Sequence, residues 1–370
     1  MQQLDPKKFL NFIKSKKINF FTGVPDSLLK NFLSELDPIK QKNHIIAANE
    51  GSAVSVGIGY FLATKKIPCI YMQNSGLGNA INPLASLAHE NVYSIPMLLI
   101  IGWRGSPSFD DEPQHKVKGK ITPKILKLLK IKYLILSHKK KNFNRISKLI
   151  NYSKKKSKPV AIIVEKNTFF NNKTKINKIE KKSVYRREII EILLKNINKN
   201  TKLISTTGYT SRELNQIRSQ KKLSNGQDFY LVGGMGHATS VAIGVALKKK
   251  NKIICLDGDG SLLMHLGSLT TVGYFKNENF IHILFNNKVH ESVGGQKIFS
   301  KKIDFKSMIL SLGYKNYYSV KNKNEFERKI KSYFKTKGPT FIDISTKVGI
   351  LKNLKRPKNL KIIKKRFLSI

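Results

Sequence analysis

The chain has 370 residues, room for about two domains at the usual ~150 residues each. Its hydrophobic fraction of 40% supports real cores, and its longest nearly unbroken apolar run, residues 95–103, is under half the ~20 residues of a membrane span, so disordered and membrane-spanning classes are set aside. The formal charge of +46 comes with only two cysteines, Cys69 and Cys255, both in apolar strand-like segments, which excludes a disulfide framework.

In chain order, residues 1–17 mix charge into an amphipathic pattern without a signal peptide's apolar block, and a cytoplasmic protein is expected. Asp5-Pro6 reads as the cap and first residue of a helix over 7–17. A strand over 18–21 and the turn Gly23-Val24-Pro25 follow, with Asp26 capping a second helix. Apolar runs at 67–72, 95–101, 133–136 and 159–164 read as short buried strands separated by helical stretches, the pattern of a parallel, doubly wound sheet. From 166 to 182 the composition turns to Lys, Asn and Thr with little periodicity, which marks a linker. Beyond it come a helix from Ser183 through Lys195, a strand over 202–205 and a helix from Ser211. Glycine-rich Gly233-Gly234-Met235-Gly236 leads into an apolar helix ending near Leu247. A strand over 253–256, a helix over 261–274 and strands over 281–285 and 340–344 complete the chain. The expected fold class is α/β, with two doubly wound parallel-sheet domains, 1–165 and 183–370, joined by the linker 166–182.

The stretch that carries chemistry is Leu256-Asp257-Gly258-Asp259-Gly260-Ser261, with Asn286-Asn287 ending the next strand. A strand closes at Leu256, Gly258 and Gly260 let the backbone turn tightly, and a helix begins near Ser261. The free N–H groups of such a helix start suit a phosphate. Asp259 offers a hard carboxylate oxygen and an Asn amide offers another, the ligands Mg²⁺ takes when it bridges to a diphosphate. Both strand ends fall at the sheet's carboxyl edge, where open α/β sheets bind ligands. A lone Gly-Asp-Gly is any tight turn; the Asn-Asn closing the next strand is what makes it specific.

This arrangement resembles the thiamine-diphosphate motif of 2-oxo-acid decarboxylases. The resemblance implies thiamine diphosphate and Mg²⁺ as cofactors, with Asp259, Asn287 and the main-chain carbonyl of Val289 as metal ligands. The intervening segment is slightly longer than in many relatives, so Asn286 stays open as a ligand. The family also needs an activating carboxylate from its other domain. Ala47-Ala48-Asn49-Glu50-Gly51-Ser52-Ala53 matches that element and places it at Glu50; alone, Glu50 is a helix-start carboxylate favoured by the helix dipole. Gly233-Gly234-Met235-Gly236-His237 resembles the loop beneath the coenzyme, with Met235 propping its rings, where the plain alternative is a core methionine. Coenzyme contacts are thus expected from Glu50, Gly234, Met235, Gly258, Asp259, Gly260, Ser261 and Asn287, and the two domains become a pyrimidine-binding and a diphosphate-binding domain.

Further segments narrow the family. Gly23-Val24-Pro25-Asp26-Ser27, residues 71–79, Trp103-Arg104-Gly105 with Asp111-Glu112-Pro113-Gln114-His115, residues 206–214 and residues 290–296 are similar to the phosphonopyruvate decarboxylases, with sulfopyruvate decarboxylases next. The resemblance implies a carboxy-lyase that converts 3-phosphonopyruvate to phosphonoacetaldehyde and CO₂ in phosphonate biosynthesis. It also implies a homodimer or dimer of dimers with the site between chains. A doubly anionic substrate calls for cations and donors: Arg104 with its planar fork, His115 and His290, with Gln73 and Asn74 as further contacts. His115 and His290 are also the candidate proton carriers, although the acidic cluster before His115 is equally a loop that neutralises lysines. One departure stands out. Where the family tends to carry Gly-Ser-Arg-x-Asp-Leu-Gly-Arg-Pro, Leu351 replaces the arginine and Lys355 a glycine, leaving Lys352 as a point charge.

Two alternatives remain. A sulfopyruvate or other 2-oxo-acid decarboxylase shares every coenzyme residue. A basic nucleic-acid-binding protein on a degenerate enzyme fold is raised by the charge, since phosphate neutralisation dominates such binding. The lysines, however, are scattered in short runs such as Lys154-Lys155-Lys156 and Lys248-Lys249-Lys250, without any nucleic-acid-binding signature. We read them as solvated faces whose field draws in an anionic substrate, and expect neither nucleic acid nor membrane as a partner.

Overall fold

A computed structural model describes residues 3–138, 142–170, 184–220, 227–298, 300, 302–351 and 353–369. These fall into two compact units: the first from residues 1–176 together with 290–296, the second from 177–289 together with 297–370. The grouping of 290–296 with the first unit has no counterpart in the contiguous domains expected. Most of the expected linker, 171–182, lies outside the described residues, as does Ser183. Its first residues are not a linker. Leu4 N–H donates to the Thr168 carbonyl at 2.8 Å, Phe170 N–H donates to the Leu4 carbonyl at 3.2 Å, and Phe169 is buried in the first core. That phenylalanine anchors an otherwise polar stretch.

In the first unit, Asp5 caps the helix Pro6–Ser15, its carboxylate accepting from Lys7 N–H at 2.9 Å. The strands β1 (Phe21–Gly23), β2 (His44–Ile46), β3 (Cys69–Gln73), β4 (Leu98–Gly102), β5 (Lys132–Leu136) and β6 (Val160–Val164) form one parallel sheet in the order β2-β1-β3-β4-β6-β5. The central strands β4 and β6 are apolar throughout because both faces are covered. Phe9, Phe32 and Leu149 pack on one face, and Val54, Leu84 and Leu126 on the other. Asp26 does not cap the next helix, which is Lys30–Ser34 with Leu29 at its cap; the carboxylate turns inward instead.

The second unit holds β7 (Val184–Tyr185), β8 (Lys202–Ser205), β9 (Gln227–Tyr230), β10 (Ile253–Gly258), β11 (Phe280–Asn286), β12 (Asn316–Val320) and β13 (Thr340–Lys347). All pair in parallel, in the order β12-β13-β11-β10-β8-β9, with β7 against the far end of β13. The helix expected over 261–274 is two, Asp259–Met264 and Ser268–Phe275, because the backbone leaves the helical region at His265 (φ −137°, ψ 52°). Both cysteines are free and buried, and the two lysine runs are exposed. Among the described residues, no helix is long and apolar enough to cross a membrane.

Candidate active site

At the carboxyl edge of the first sheet, Asn49 caps the helix Glu50–Thr64 by accepting from Ser52 N–H at 2.8 Å. Glu50 opens that helix at 5% exposure, and Asn79 Nδ2 donates to its Oε2 at 2.8 Å. Burial pushes the Glu50 carboxyl above its ordinary pKa, against the pull of the Asn79 bond. Oε1 lies over Gly76, where a Cβ would come within 1.9 Å of it, so only glycine seats the carboxylate there. A carboxylate that served only the helix dipole would stay in water. This one is held in a built recess.

β3 runs into Gln73 and Asn74. Asn74 is 2% exposed: Nδ2 donates to the Arg104 carbonyl at 2.9 Å and to Thr122 Oγ1 at 3.0 Å, while Oδ1 accepts from Arg104 N–H at 3.1 Å. With both amide hydrogens committed, Asn74 ties β3, the end of β4 and the helix Pro113–Leu128 together. The Arg104 fork is also engaged. Nε donates to Asp111 Oδ2 at 2.7 Å, Nη2 donates to Oδ1, and Gly105 N–H donates to Oδ2 at 3.0 Å. Burial would raise the Asp111 carboxyl, but these bonds hold it well below the usual carboxylate range. An anionic substrate must therefore take the outer edge of the guanidinium or displace Asp111. Behind this turn Gly105 (φ 71°) backs onto the helix, where a Cβ would lie 1.9 Å from the carbonyl of buried His115.

Asp26 is the residue that sequence reasoning missed. It is fully buried, with Oδ1 accepting from Gln73 Nε2 at 2.6 Å and Oδ2 from Leu28 N–H at 3.1 Å. Gln73 Oε1 in turn accepts from Ser75 Oγ at 2.6 Å. Burial raises the Asp26 carboxyl, opposed by Gln73 and by the Arg104 charge. A second acidic group thus sits beside the arginine; its signal was an acid directly after Gly-Val-Pro at a strand end. His290 is buried, and burial lowers its pKa to about 4, so it is neutral near pH 7. A neutral imidazole of this kind can donate a hydrogen bond or exchange a proton.

In the second unit, Asp259 is 3% exposed, with Oδ1 accepting from Gly260 N–H at 2.9 Å and Oδ2 from Lys288 N–H at 2.6 Å. Burial raises its pKa to about 7, so the carboxyl calls for a cation. Lys288 sits at φ 61°, and in the tight turn around it Asn287 Oδ1 accepts from Val289 N–H at 3.1 Å. The Lys288 bond ties the Asp259 helix start to the turn of Asn287 and Val289, and carboxylate, amide and carbonyl oxygens are donors of the kind Mg²⁺ takes. Asn286 stays open as a ligand: its Nδ2 donates to Asp343 Oδ1 at 3.2 Å, and its Oδ1 has no hydrogen-bond partner among the described residues. Cys255, Asp257 and His282 form a buried group with ligand atoms within 4.8 Å of one another, but a thiol does not suit Mg²⁺.

A Cβ on Gly258 would meet nothing within 4 Å, so the space beside this backbone is open. The Ser261 side chain organises a neighbouring loop. Its hydroxyl accepts from Gly236 N–H at 3.1 Å and pairs with Thr206 Oγ1 at 2.8 Å, pinning the loop that carries Met235. In that loop Gly234 and Gly236 take φ 63° and 90°. Leu351, in place of the family arginine, packs against the second core, and its N–H donates to Glu213 Oε1 at 3.3 Å. Lys352 lies outside the described residues.

Two family models match the chain: "Thiamine pyrophosphate enzyme, N-terminal TPP binding domain" over residues 7–124 and "Thiamine pyrophosphate enzyme, C-terminal TPP binding domain" over residues 206–344. A phosphonopyruvate decarboxylase of Streptomyces viridochromogenes is 30% identical over 354 residues, covering 91% of this chain and 87% of that protein. One of Streptomyces hygroscopicus is 30% identical over 355 residues, covering 91% and 86%. A sulfopyruvate decarboxylase of Methanosarcina acetivorans is 25% identical over 368 residues, covering 93% and 91%. Glu50 in its recess and the Asp259 turn fall inside the two matched models, one in each. The chain belongs to the phosphonopyruvate decarboxylase family of thiamine-diphosphate-dependent decarboxylases.

Proposed function

We propose that the chain decarboxylates 3-phosphonopyruvate to phosphonoacetaldehyde and CO₂ with thiamine diphosphate and Mg²⁺, as a step in phosphonate biosynthesis. The observation that carries this reading is the recessed Glu50 carboxylate, in a chain similar along 91% of its length to two phosphonopyruvate decarboxylases. When bound, the coenzyme supplies the electron sink for the pair left behind as CO₂ departs. Asn79 holds Glu50 Oε2, which leaves Oε1 to pass a proton to and from the coenzyme's pyrimidine. Asp259, Asn287 and the Val289 carbonyl would hold Mg²⁺, which would neutralise the diphosphate's charge, and Met235, on its pinned loop, would support the coenzyme. The outer edge of Arg104 receives the phosphonate. Breaking the C1–C2 bond leaves C2 to take up one proton, and His115 and His290 are the candidate donors. Each site draws Glu50 from one chain and Asp259 from another, in a homodimer or dimer of dimers.

Sulfopyruvate is the second reading, favoured by the Leu351 replacement and by the similarity to a sulfopyruvate decarboxylase over 93% of the chain. The test is CO₂ and aldehyde release by purified protein with thiamine diphosphate and Mg²⁺, offered phosphonopyruvate, sulfopyruvate and pyruvate side by side. The highest kcat/KM is expected for phosphonopyruvate. A higher value for either competitor overturns the substrate assignment and leaves the decarboxylase assignment standing.

A further inference from the structure

β11 ends in Asn286, immediately before the metal turn. Its Nδ2 donates to Asp343 Oδ1 on β13 at 3.2 Å, and its buried Oδ1 has no hydrogen-bond partner among the described residues. Asp343 is therefore what fixes the orientation of this amide. Asp343 is fixed in its turn, since Oδ2 accepts from Tyr317 OH on β12 at 2.9 Å. Strand register explains why the three meet. Asn286 lies beside Ser345 and Tyr317 beside Phe341, each two residues from Asp343, so all three side chains emerge on one face of the sheet. Tyr317 also stacks on Phe341 with ring planes 7° apart, which sets the angle of its hydroxyl.

The turn begins at the next residue. Asn287, Lys288 and Val289 follow Asn286 directly, and Lys288 N–H reaches back to Asp259 Oδ2 at 2.6 Å. A clamp on Asn286 thus fixes the strand end from which this turn springs.

We infer that Asp343 is a positioning residue for the cation site: held by Tyr317, it clamps Asn286 and so sets the turn that presents Asn287 and the Val289 carbonyl. It acts through Asn286 and touches neither coenzyme nor metal. Groups that orient metal ligands from behind are commonly worth 10–100-fold in metal affinity. The inference rests on the reading of Asp259, Asn287 and Val289 as the ligands.

The experiment is calorimetric titration of Mg²⁺ into the full chain at saturating thiamine diphosphate, with a cation-free thermal melt of each variant. Asp343→Leu keeps the branched shape and removes both acceptors; its Mg²⁺ Kd is expected to rise by about tenfold or more. Tyr317→Phe deletes one hydroxyl and is expected to raise the Kd by about threefold. Glu327→Gln, an exposed acid on the helix Lys323–Lys335, controls for net charge and should bind Mg²⁺ as the wild type does. Wild-type Mg²⁺ affinity in Asp343→Leu overturns the inference. If that variant does not fold, Tyr317→Phe decides: weaker binding supports it and unchanged binding overturns it. A wild-type protein that binds no Mg²⁺ would defeat the ligand assignment itself, and this inference with it.

Discussion

Two carboxylate arrangements in the first unit set the terms for catalysis. Asn79 is the named hydrogen-bond donor that lowers the Glu50 pKa against burial. Asn79→Ala should therefore move the acid limb of the kcat/KM profile to higher pH, because the carboxyl loses a bond that favours its charged form. A profile that stays in place would mean the limb belongs to another group. Arg104 meets Asp111 through two donors, a geometry a lysine cannot reproduce. Arg104→Lys should raise KM for phosphonopyruvate by about tenfold, an effect of ~1.4 kcal/mol, and leave KM for pyruvate nearly unchanged. Equal rises for both acids would place Arg104 in the scaffold instead. At this scale the residues with a motif around them were legible in the sequence. Asp26 was not, because an acid after a turn looks the same whether it caps a helix or turns into the site. The bonds of Asn74 were hidden for a related reason: only the fold shows that its amide hydrogens go to Arg104 and Thr122.

Among the elements, most inner strands were legible and, apart from β5, the edge strands were not. β3, β4, β6, β10 and β11 are nearly continuous apolar runs because helices cover both faces. β2, β9 and β12 lie at sheet edges and include His44, Asp228 and Asn316, so no run announces them. The break at His265 was hidden because the apolar pattern continues through it from Leu262 to Tyr274. His44, on the edge strand β2, also carries a stability prediction. Its Nε2 lies 2.9 Å from Tyr71 OH, and burial lowers its pKa from 6.5 to about 4. Between these values the unfolded chain binds a proton that the folded protein refuses. Stability is therefore lost as pH falls from 6.5 towards 4, by about 3 kcal/mol at most from this group. Urea unfolding of wild type and His44→Gln at pH 7 and pH 4.5 measures it. The variant should lose less stability on acidification, and an equal loss in both would show that His44 is not responsible.

For the whole molecule, the charge of +46 is a field acting on a small anion. Raising NaCl from about 0.02 to 0.5 M should lower kcat/KM for phosphonopyruvate while kcat holds, as the Debye length shrinks from roughly 20 to 4 Å. A salt-independent kcat/KM would leave the lysines without a role in substrate capture. Everything proposed for the reaction passes through Glu50, which is recessed over Gly76 and held by Asn79. The most direct measurement is CO₂ release by Glu50→Gln beside wild type, with bound thiamine diphosphate quantified in the same samples. The variant should keep its coenzyme and lose turnover by about 10²–10⁴-fold, the usual worth of a positioned acid–base group. A variant that holds the coenzyme and turns over at the wild-type rate would contradict the role given to Glu50.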